Sequence, residues 1–351
     1  MKISLVALAT VLLGLMGFLV YDEAFRAEAV DVVIDAIPAL APEPVTIIFT
    51  GDVMFDRGVR RHAAAYGDDS LFAGIKETLI DSDAVVVNLE TTLTDKPSVA
   101  SKDSSRLEFT SDPRFADLLA SLNVDVATLS NNHTDDFGRD GLLETKTHLA
   151  LANIGYHGSP HNIDTEFSVE TNIGRIRACF VGYQGFIAPD PSPVAKEIMR
   201  LSPRCDYLVA TMHAGDEYVY LANAVQTRAA RAFIDAGADV VIGTHPHVVQ
   251  PLEIYQGKPI FYSLGNFMFD QDFSWETTHA LLVRASVGED EVRYEVIPVS
   301  VIKAEAALER EDTSHARLIR MLIGPGTPPT ISEEILSTGS FTVESRAILP
   351  E

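Results

Sequence analysis

Five short stretches hold the residue types best able to do chemistry, and each follows an apolar run. Val45–Thr50 leads into Gly51-Asp52, Val85–Val87 into Asn88-Leu89-Glu90, and Val124–Ser130 into Asn131-Asn132-His133. Tyr207–Met212 leads into His213, and Val240–Thr244 into His245-Pro246-His247. Carboxylates, amide oxygens and imidazoles are the donors that hold divalent metal ions. Taken singly, most of these stretches have a plainer reading. Asp52 can close a strand-end turn with an Asx bond, Asn88 and Glu90 can begin a helix or turn, and His213 can be a satisfied core histidine. The His-Pro-His run is more specific, because the proline stiffens a turn in which both rings can face one cavity. Together the five point to a metal centre, since a carboxylate buried beside several imidazoles is costly unless a cation pairs with it.

Segments this far apart meet only if the fold brings the ends of their strands to one edge. Short β-branched runs recur at 45–50, 84–89, 124–129, 176–181, 207–211, 240–242 and 260–262. Helical stretches at 114–122, 141–153 and 222–236 lie between several of them. This alternation predicts α/β layers, in which the carboxyl ends of parallel strands form the ligand-binding edge. Residues 280–302 read instead as an antiparallel hairpin turning at Gly288-Glu289-Asp290. The large domain is expected over 45–306. After Ala307 the chain becomes charged and then rich in Pro, Gly and Thr, which predicts a weakly packed tail over 307–351.

Composition narrows the partners and the compartment. With 46% apolar residues in 351, the chain can bury a real core and is not wholly disordered. Its 27 basic and 50 acidic residues give a net charge of −23, which opposes nucleic acid and anionic lipid before any specific contact forms. Two cysteines without CxxC spacing exclude a zinc ribbon, so the ligands must be His, Asn and carboxylates. Ile3 to Val20 is free of charge and, as a helix, would be about 27 Å long against a hydrocarbon core of about 30 Å. Lys2 precedes the run, which places the N-terminus in the cytoplasm and the rest outside. Residues 1–21 are therefore expected as a single membrane anchor and 22–44 as a linker. The alternative is a signal peptide cleaved near Ala27-Glu28-Ala29, which would leave a secreted domain. Either way the domain is exported, where Cys179 and Cys205 can pair or remain two buried thiols.

Six motifs recur in a recognisable order: Thr50-Gly51-Asp52-Val53-Met54 with Arg57, then Asn88-Leu89-Glu90, then Ser130-Asn131-Asn132-His133 through Asp136-Phe137-Gly138. His213-Ala214-Gly215-Asp216-Glu217-Tyr218, Gly243-Thr244-His245-Pro246-His247-Val248 and Tyr262-Ser263-Leu264-Gly265-Asn266-Phe267 follow. This pattern resembles the calcineurin-like metallophosphoesterases, and more closely the CapA family of poly-γ-glutamate capsule synthesis proteins, which shares that fold. The resemblance implies a four-layer α/β/β/α metallophosphatase-like sandwich, here preceded by the single N-terminal transmembrane helix. It makes Asp52 a first-metal carboxylate, puts Glu90 in the place of the bridging Asp, and makes His247 a first-metal ligand. Asn132, His213 and His245 become second-metal ligands, and His133 the uncoordinated imidazole beside the reacting group. Three positions depart from the pattern. Met54 stands where the phosphoesterases place a His ligand and Glu90 where they place Asp, both of which weaken the first site. Ala214 replaces the aromatic residue usual in CapA relatives.

One or two divalent ions, Mn²⁺, Fe or Zn²⁺, suit this donor mix better than Ca²⁺, and such a centre activates water near neutral pH. In that chemistry His133 protonates the leaving atom, and Arg57 or Asn88 steadies developing negative charge. Asp136 either orients His133 or caps a helix beginning near Gly138, and Arg57 is alternatively a surface ion pair. The expected function is a membrane-anchored, extracytoplasmic protein of poly-γ-glutamate or capsule synthesis or export, with a metal-dependent, phosphoesterase-like hydrolase site. The alternative is a non-catalytic module that binds the acidic polymer within a synthase or export complex. A substrate such as poly-γ-glutamate or a phosphoester would need positive potential from the metals and from Arg57, Arg60 and Arg61, given the net charge of −23.

Overall fold

The computed structural model describes residues 42–100, 107–162 and 167–346. The apolar run at 3–20 lies outside the described residues, and among those described no helix is long and apolar enough to cross a membrane. The chain divides at Glu43/Pro44, and the unit from Pro44 onward is the one described here.

Two sheets form its centre. The first runs in the order Glu305–Leu308, Glu291–Ile302, His279–Val287, Val45–Val53, Ala84–Leu89, Val124–Thr128 and Gly155–His157, with Asn266–Met268 also paired to Val45–Val53. The second runs Leu252–Tyr255, Lys258–Phe261, Val240–Thr244, Tyr207–His213, Ile176–Gln184 and Ser168–Ile173. Strand alternation sends neighbouring residues to opposite faces. Ile47, Phe49, Ala84 and Val86 therefore meet Ala178, Phe180, Val209 and Ile242 of the second sheet. Their neighbours Ile48, Val85 and Val87 face the helices Arg57–Tyr66, Arg114–Ser121 and Gly138–Leu151. On the far side, Cys179, Val181, Leu208 and Val241 pack on the helices Ser192–Leu201 and Ala224–Asp235. The layers thus run helices, sheet, sheet, helices. Strands buried on both faces need apolar residues at successive positions, which is why the sequence shows short continuous runs rather than alternation. The hairpin joins His279–Val287 to Glu291–Ile302.

One expectation about this unit changes and one open choice is resolved. The segment after Ala307 is not weakly packed. Helices Asp312–Leu322 and Pro329–Thr338 bury Leu318, Ile319, Leu322 and Ile335, and the strand Ser340–Glu344 pairs with Glu291–Ile302 and buries Phe341. Full burial of such side chains contributes about 1.5–3 kcal/mol each, enough to hold a segment whose Pro and Gly residues suggest a loose tail. Of the two open fates for the cysteines, the structure has the disulfide Cys179–Cys205.

Parallel pairing sets the rows from which the site is built. Asp52 lies opposite Asn88 on one side and Asn266 on the other, and in the second sheet Thr244 lies opposite His213. Gly51, inside the strand just before the first row, is required there because a Cβ would stand 1.8 Å from the Gly265 carbonyl oxygen. The strands Val45–Val53, Tyr207–His213 and Val240–Thr244 each run two residues further than the apolar pattern predicts, or more. Asp52 and His213 consequently sit within the ladders rather than on loops.

Candidate metal centre

At the carboxyl ends of these strands, Asp52, Glu90 and His247 form one group of three donors, and Glu90, His213 and His245 form another. Within each group the donor atoms all lie within 4.8 Å of one another, and all five residues are buried. Glu90 is shared by the two groups. Both of its carboxylate oxygens are buried and neither accepts a hydrogen bond. A carboxylate in that state is destabilising by more than the roughly 1–3 kcal/mol of an unsatisfied neutral group, and a divalent ion at each group would relieve it. The residues present therefore fit a two-cation centre with Glu90 as the common ligand.

Protonation follows from the same surroundings. Burial, followed by the charge of Asp52, pushes the Glu90 carboxyl well above its ordinary value. Burial alone would also raise Asp52. The hydrogen bond and charge of His247, the charge of His213 and the Asn88 amide outweigh it and hold Asp52 below the carboxylate range. Burial, with the neighbouring imidazoles, pushes His213 well below its ordinary value and His245 down to about 4. Near neutral pH the imidazoles of His213 and His245 thus offer lone pairs, and the carboxylate pair holds a proton that a metal would displace.

The surrounding bonds fix the donors. His213 Nε2 stands 2.6 Å from Asn132 Oδ1, 3.1 Å from His245 Nδ1 and 3.6 Å from Glu90 Oε1, while its Nδ1 lies 3.0 Å from Thr244 Oγ1. His247 Nδ1 lies 3.2 Å from Asp52 Oδ2 and 2.9 Å from Asn266 Oδ1. His245 and His247, on either side of Pro246, have φ of 95° and 58°. A non-glycine residue in this region costs of order 1–3 kcal/mol, so the surrounding structure holds both imidazoles against strain.

His133 stands at the edge of the centre. Its Nδ1 is 2.8 Å from Asp136 Oδ2, its Nε2 is 3.9 Å from Glu90 Oε1, and its ring packs on Phe109 at 4.1 Å. Asp136 therefore orients His133. The helix that follows has Phe137 at its N-cap position with no side-chain cap, so the capping alternative is not what the structure shows.

Asn88 and Arg57 occupy places that differ from their expected roles. Asn88 Nδ2 donates to Asp52 Oδ1 at 2.7 Å, and its Oδ1 accepts from Asn131 at 3.0 Å. Buried and engaged at both ends, it positions Asp52 rather than meeting charge on a substrate. Arg57 is neither among the donors nor a surface pair. Its Nη2 forms a buried ion pair with Asp270, and its guanidinium lies 4.8 Å from the Phe109 ring centre and 5.6 Å from that of Phe269. These two rings in turn pack on the imidazoles of His133 and His247. Arg60 is held by Asp56 and the Thr110 carbonyl. Met54 is buried against Phe109 and Phe269, and its sulfur accepts from the Asp56 amide.

Residues without an assigned role also prove structural to the site. Asn131 Nδ2 donates to Asn88 Oδ1 and the Leu89 carbonyl, tying two strand ends together. Phe109 carries no sequence signal beyond its apolarity. Asn266 lies in one of the six motifs, and only the strand register reveals that it faces Asp52.

Against known proteins, residues 46–271 match the profile of the family described as bacterial capsule synthesis protein PGA_cap. The chain is 29% identical over 287 residues to the PGA biosynthesis protein CapA of Bacillus subtilis, covering 77% of this chain and 75% of that one. It is 28% identical to the capsule biosynthesis protein CapA of Bacillus anthracis, covering 74% and 68%. It is 26% identical to a probable polyglutamine synthesis accessory protein of Mycobacterium tuberculosis, covering 66% and 76%. Among solved structures it is similar to a phosphatase from Mycoplasma pneumoniae at 16% identity and TM-score 0.41, covering 76% of this chain and 92% of that one. A putative 5′-nucleotidase from Staphylococcus aureus is similar at 11% identity and TM-score 0.44, covering 79% and 58%.

Proposed function

Because this chain belongs to the bacterial capsule synthesis protein family PGA_cap, we propose that it serves poly-γ-glutamate or capsule synthesis or export outside the cytoplasm, with a metal-dependent hydrolase centre. The observation that carries the hydrolase reading is Glu90, buried, accepting no hydrogen bond and common to two groups of metal donors. Asp52, Glu90 and His247 would hold one ion, and Glu90, Asn132, His213 and His245 the other. Bound there, divalent ions supply Lewis acidity and lower the pKa of water towards about 7.

The chain's own residues do the rest. Asn88 and Asn131 lock the carboxylate row, and Thr244 sets the ring of His213. Asp136 Oδ2 engages His133 Nδ1, which leaves Nε2, the nitrogen nearer Glu90, as the atom at which this ring can take up or give a proton. A histidine placed beside the donors, with a carboxylate behind it, serves a leaving group and has no use in a purely structural site. The disulfide supports export, since such bonds persist in oxidising compartments, and the apolar run at 3–20 supports a membrane anchor. With Arg57 and Arg60 engaged by Asp270 and Asp56, an acidic polymer would depend for attraction on the metals and on the exposed Arg61.

Met54 favours a second reading. A methionine buried where an imidazole ligand would stand weakens one metal site, as suits an accessory module that binds polymer within a synthase or export complex without cleaving it. The deciding experiment measures metal content of the purified full chain and its turnover of phosphoesters and γ-glutamyl peptides, alongside polymer output from a host carrying His247→Ala. The hydrolase reading predicts bound metal, turnover of one substrate class and altered output. A chain without metal, whose variant leaves output unchanged, refutes it.

A further inference from the structure

The donor group of Asp52, Glu90 and His247 has a gap in its chemistry. Met54 contributes nothing to it, because its sulfur is turned to the Asp56 amide at 2.8 Å and its side chain packs on Phe109 and Phe269. On the neighbouring strand, Asn266 lies directly opposite Asp52 in parallel register and is buried.

The orientation of its amide is determined. Asn266 Nδ2 donates to Gln271 Oε1 and to the Thr277 carbonyl, both at 3.0 Å. Oδ1 is therefore the atom left for the centre. It lies 2.9 Å from His247 Nδ1, which in turn lies 3.2 Å from Asp52 Oδ2. Donors bound at about 2.1 Å and at right angles stand roughly 3.0 Å apart, so each of these two pairs has the spacing of adjacent ligands on one ion.

We propose that Asn266 Oδ1 is a ligand of the first metal and takes the place left vacant by the methionine at position 54. The inference rests on the metal-centre reading and adds to it a residue and a preference. Replacing an imidazole nitrogen with an amide oxygen makes the first site harder, which favours Mn²⁺ or Fe²⁺ there over Zn²⁺. The rival is a positioning role, in which Asn266 only accepts a hydrogen bond from His247 Nδ1 and steadies the ring.

The two differ in how many waters a bound ion keeps. Metal-stripped full-length protein is titrated with Mn²⁺, and affinity, stoichiometry and bound-water number are read by calorimetry and water-proton relaxation. Asn266→Ala is expected to weaken one of two Mn²⁺ sites at least about 10-fold and to raise the water number at that site by one. Asn266→Asp should retain wild-type affinity and water number. Asn266→Ser, too short to reach the centre, should repeat the alanine result and stands in for it if the alanine variant does not fold. Unchanged affinity, or lost affinity with an unchanged water number, overturns the assignment. A wild-type chain that binds no Mn²⁺ overturns the centre itself, which separates the two failures.

Discussion

Glu90→Gln should stabilise the metal-free protein at alkaline pH and abolish its response to metal. The folded state raises the Glu90 carboxyl well above its ordinary 4.5 through burial and the charge of Asp52. Above pH 4.5 the unfolded chain releases this proton while the folded chain keeps it, so the folded state binds more protons and loses stability as pH rises. The slope is about 1.4 kcal/mol per pH unit until Glu90 ionises in the folded protein. Buried histidines with lowered pKa values act in the opposite sense below pH 6.5, but they are common to both proteins and cancel in the difference. Near pH 5 a protonated Glu90 and a glutamine are similar buried polar loads, so the two proteins should melt within about 1 kcal/mol of each other. From there the advantage of the variant should grow with pH along that slope. Metal reverses the order: at a hundredfold excess over Kd each bound ion adds about 2.7 kcal/mol to the wild type, or roughly 5 °C per ion, and almost nothing to a variant lacking the shared ligand. Calorimetric melts at pH 5, 6.5 and 8, with chelator and with Mn²⁺, test both halves. A variant destabilised equally at every pH, or one that keeps the wild-type metal response, refutes the reasoning.

Two other outcomes follow from particular contacts. His133→Ala should lower kcat for the hydrolysed substrate by about 10²- to 10⁴-fold with metal content unchanged, and Asp136→Asn by roughly tenfold, since it disturbs only the orientation of the ring. Metal lost together with activity in His133→Ala would instead make that imidazole a ligand. Replacing both cysteines by serine removes a cross-link spanning 26 residues and should cost roughly 3.5 kcal/mol in denaturant unfolding. A cost under about 1 kcal/mol would show that packing alone holds the two segments together.

What the sequence could disclose depended on whether the deciding physics is local. The apolar runs were legible because a strand buried on both faces must be apolar along its length, and the residues after them mark the shared edge. That was enough to gather Asp52, Glu90, His213, His245 and His247. It was not enough to tell neighbouring amides apart. Asn131 turns under the strands to Asn88 while Asn132 turns to His213, and one residue of backbone rotation separates a supporting role from a donor role. Arg57 follows the metal loop by only a few residues. Its fate was decided by Asp270, 213 positions away, which captures the guanidinium. Asn266 shows the same dependence, since it matters only through its register with Asp52. The C-terminal segment misled for another reason. Leu318, Ile319 and Leu322 have the spacing of one helical face, but the Pro and Gly residues around 324–329 dominate the local composition, and the apolar face has value only against a partner supplied by distant sheets. Residue types after strands are thus readable one segment at a time, whereas the choice between ligand and support is made by pairings across the chain, and in this centre those pairings run through the row Asn266, Asp52 and Asn88.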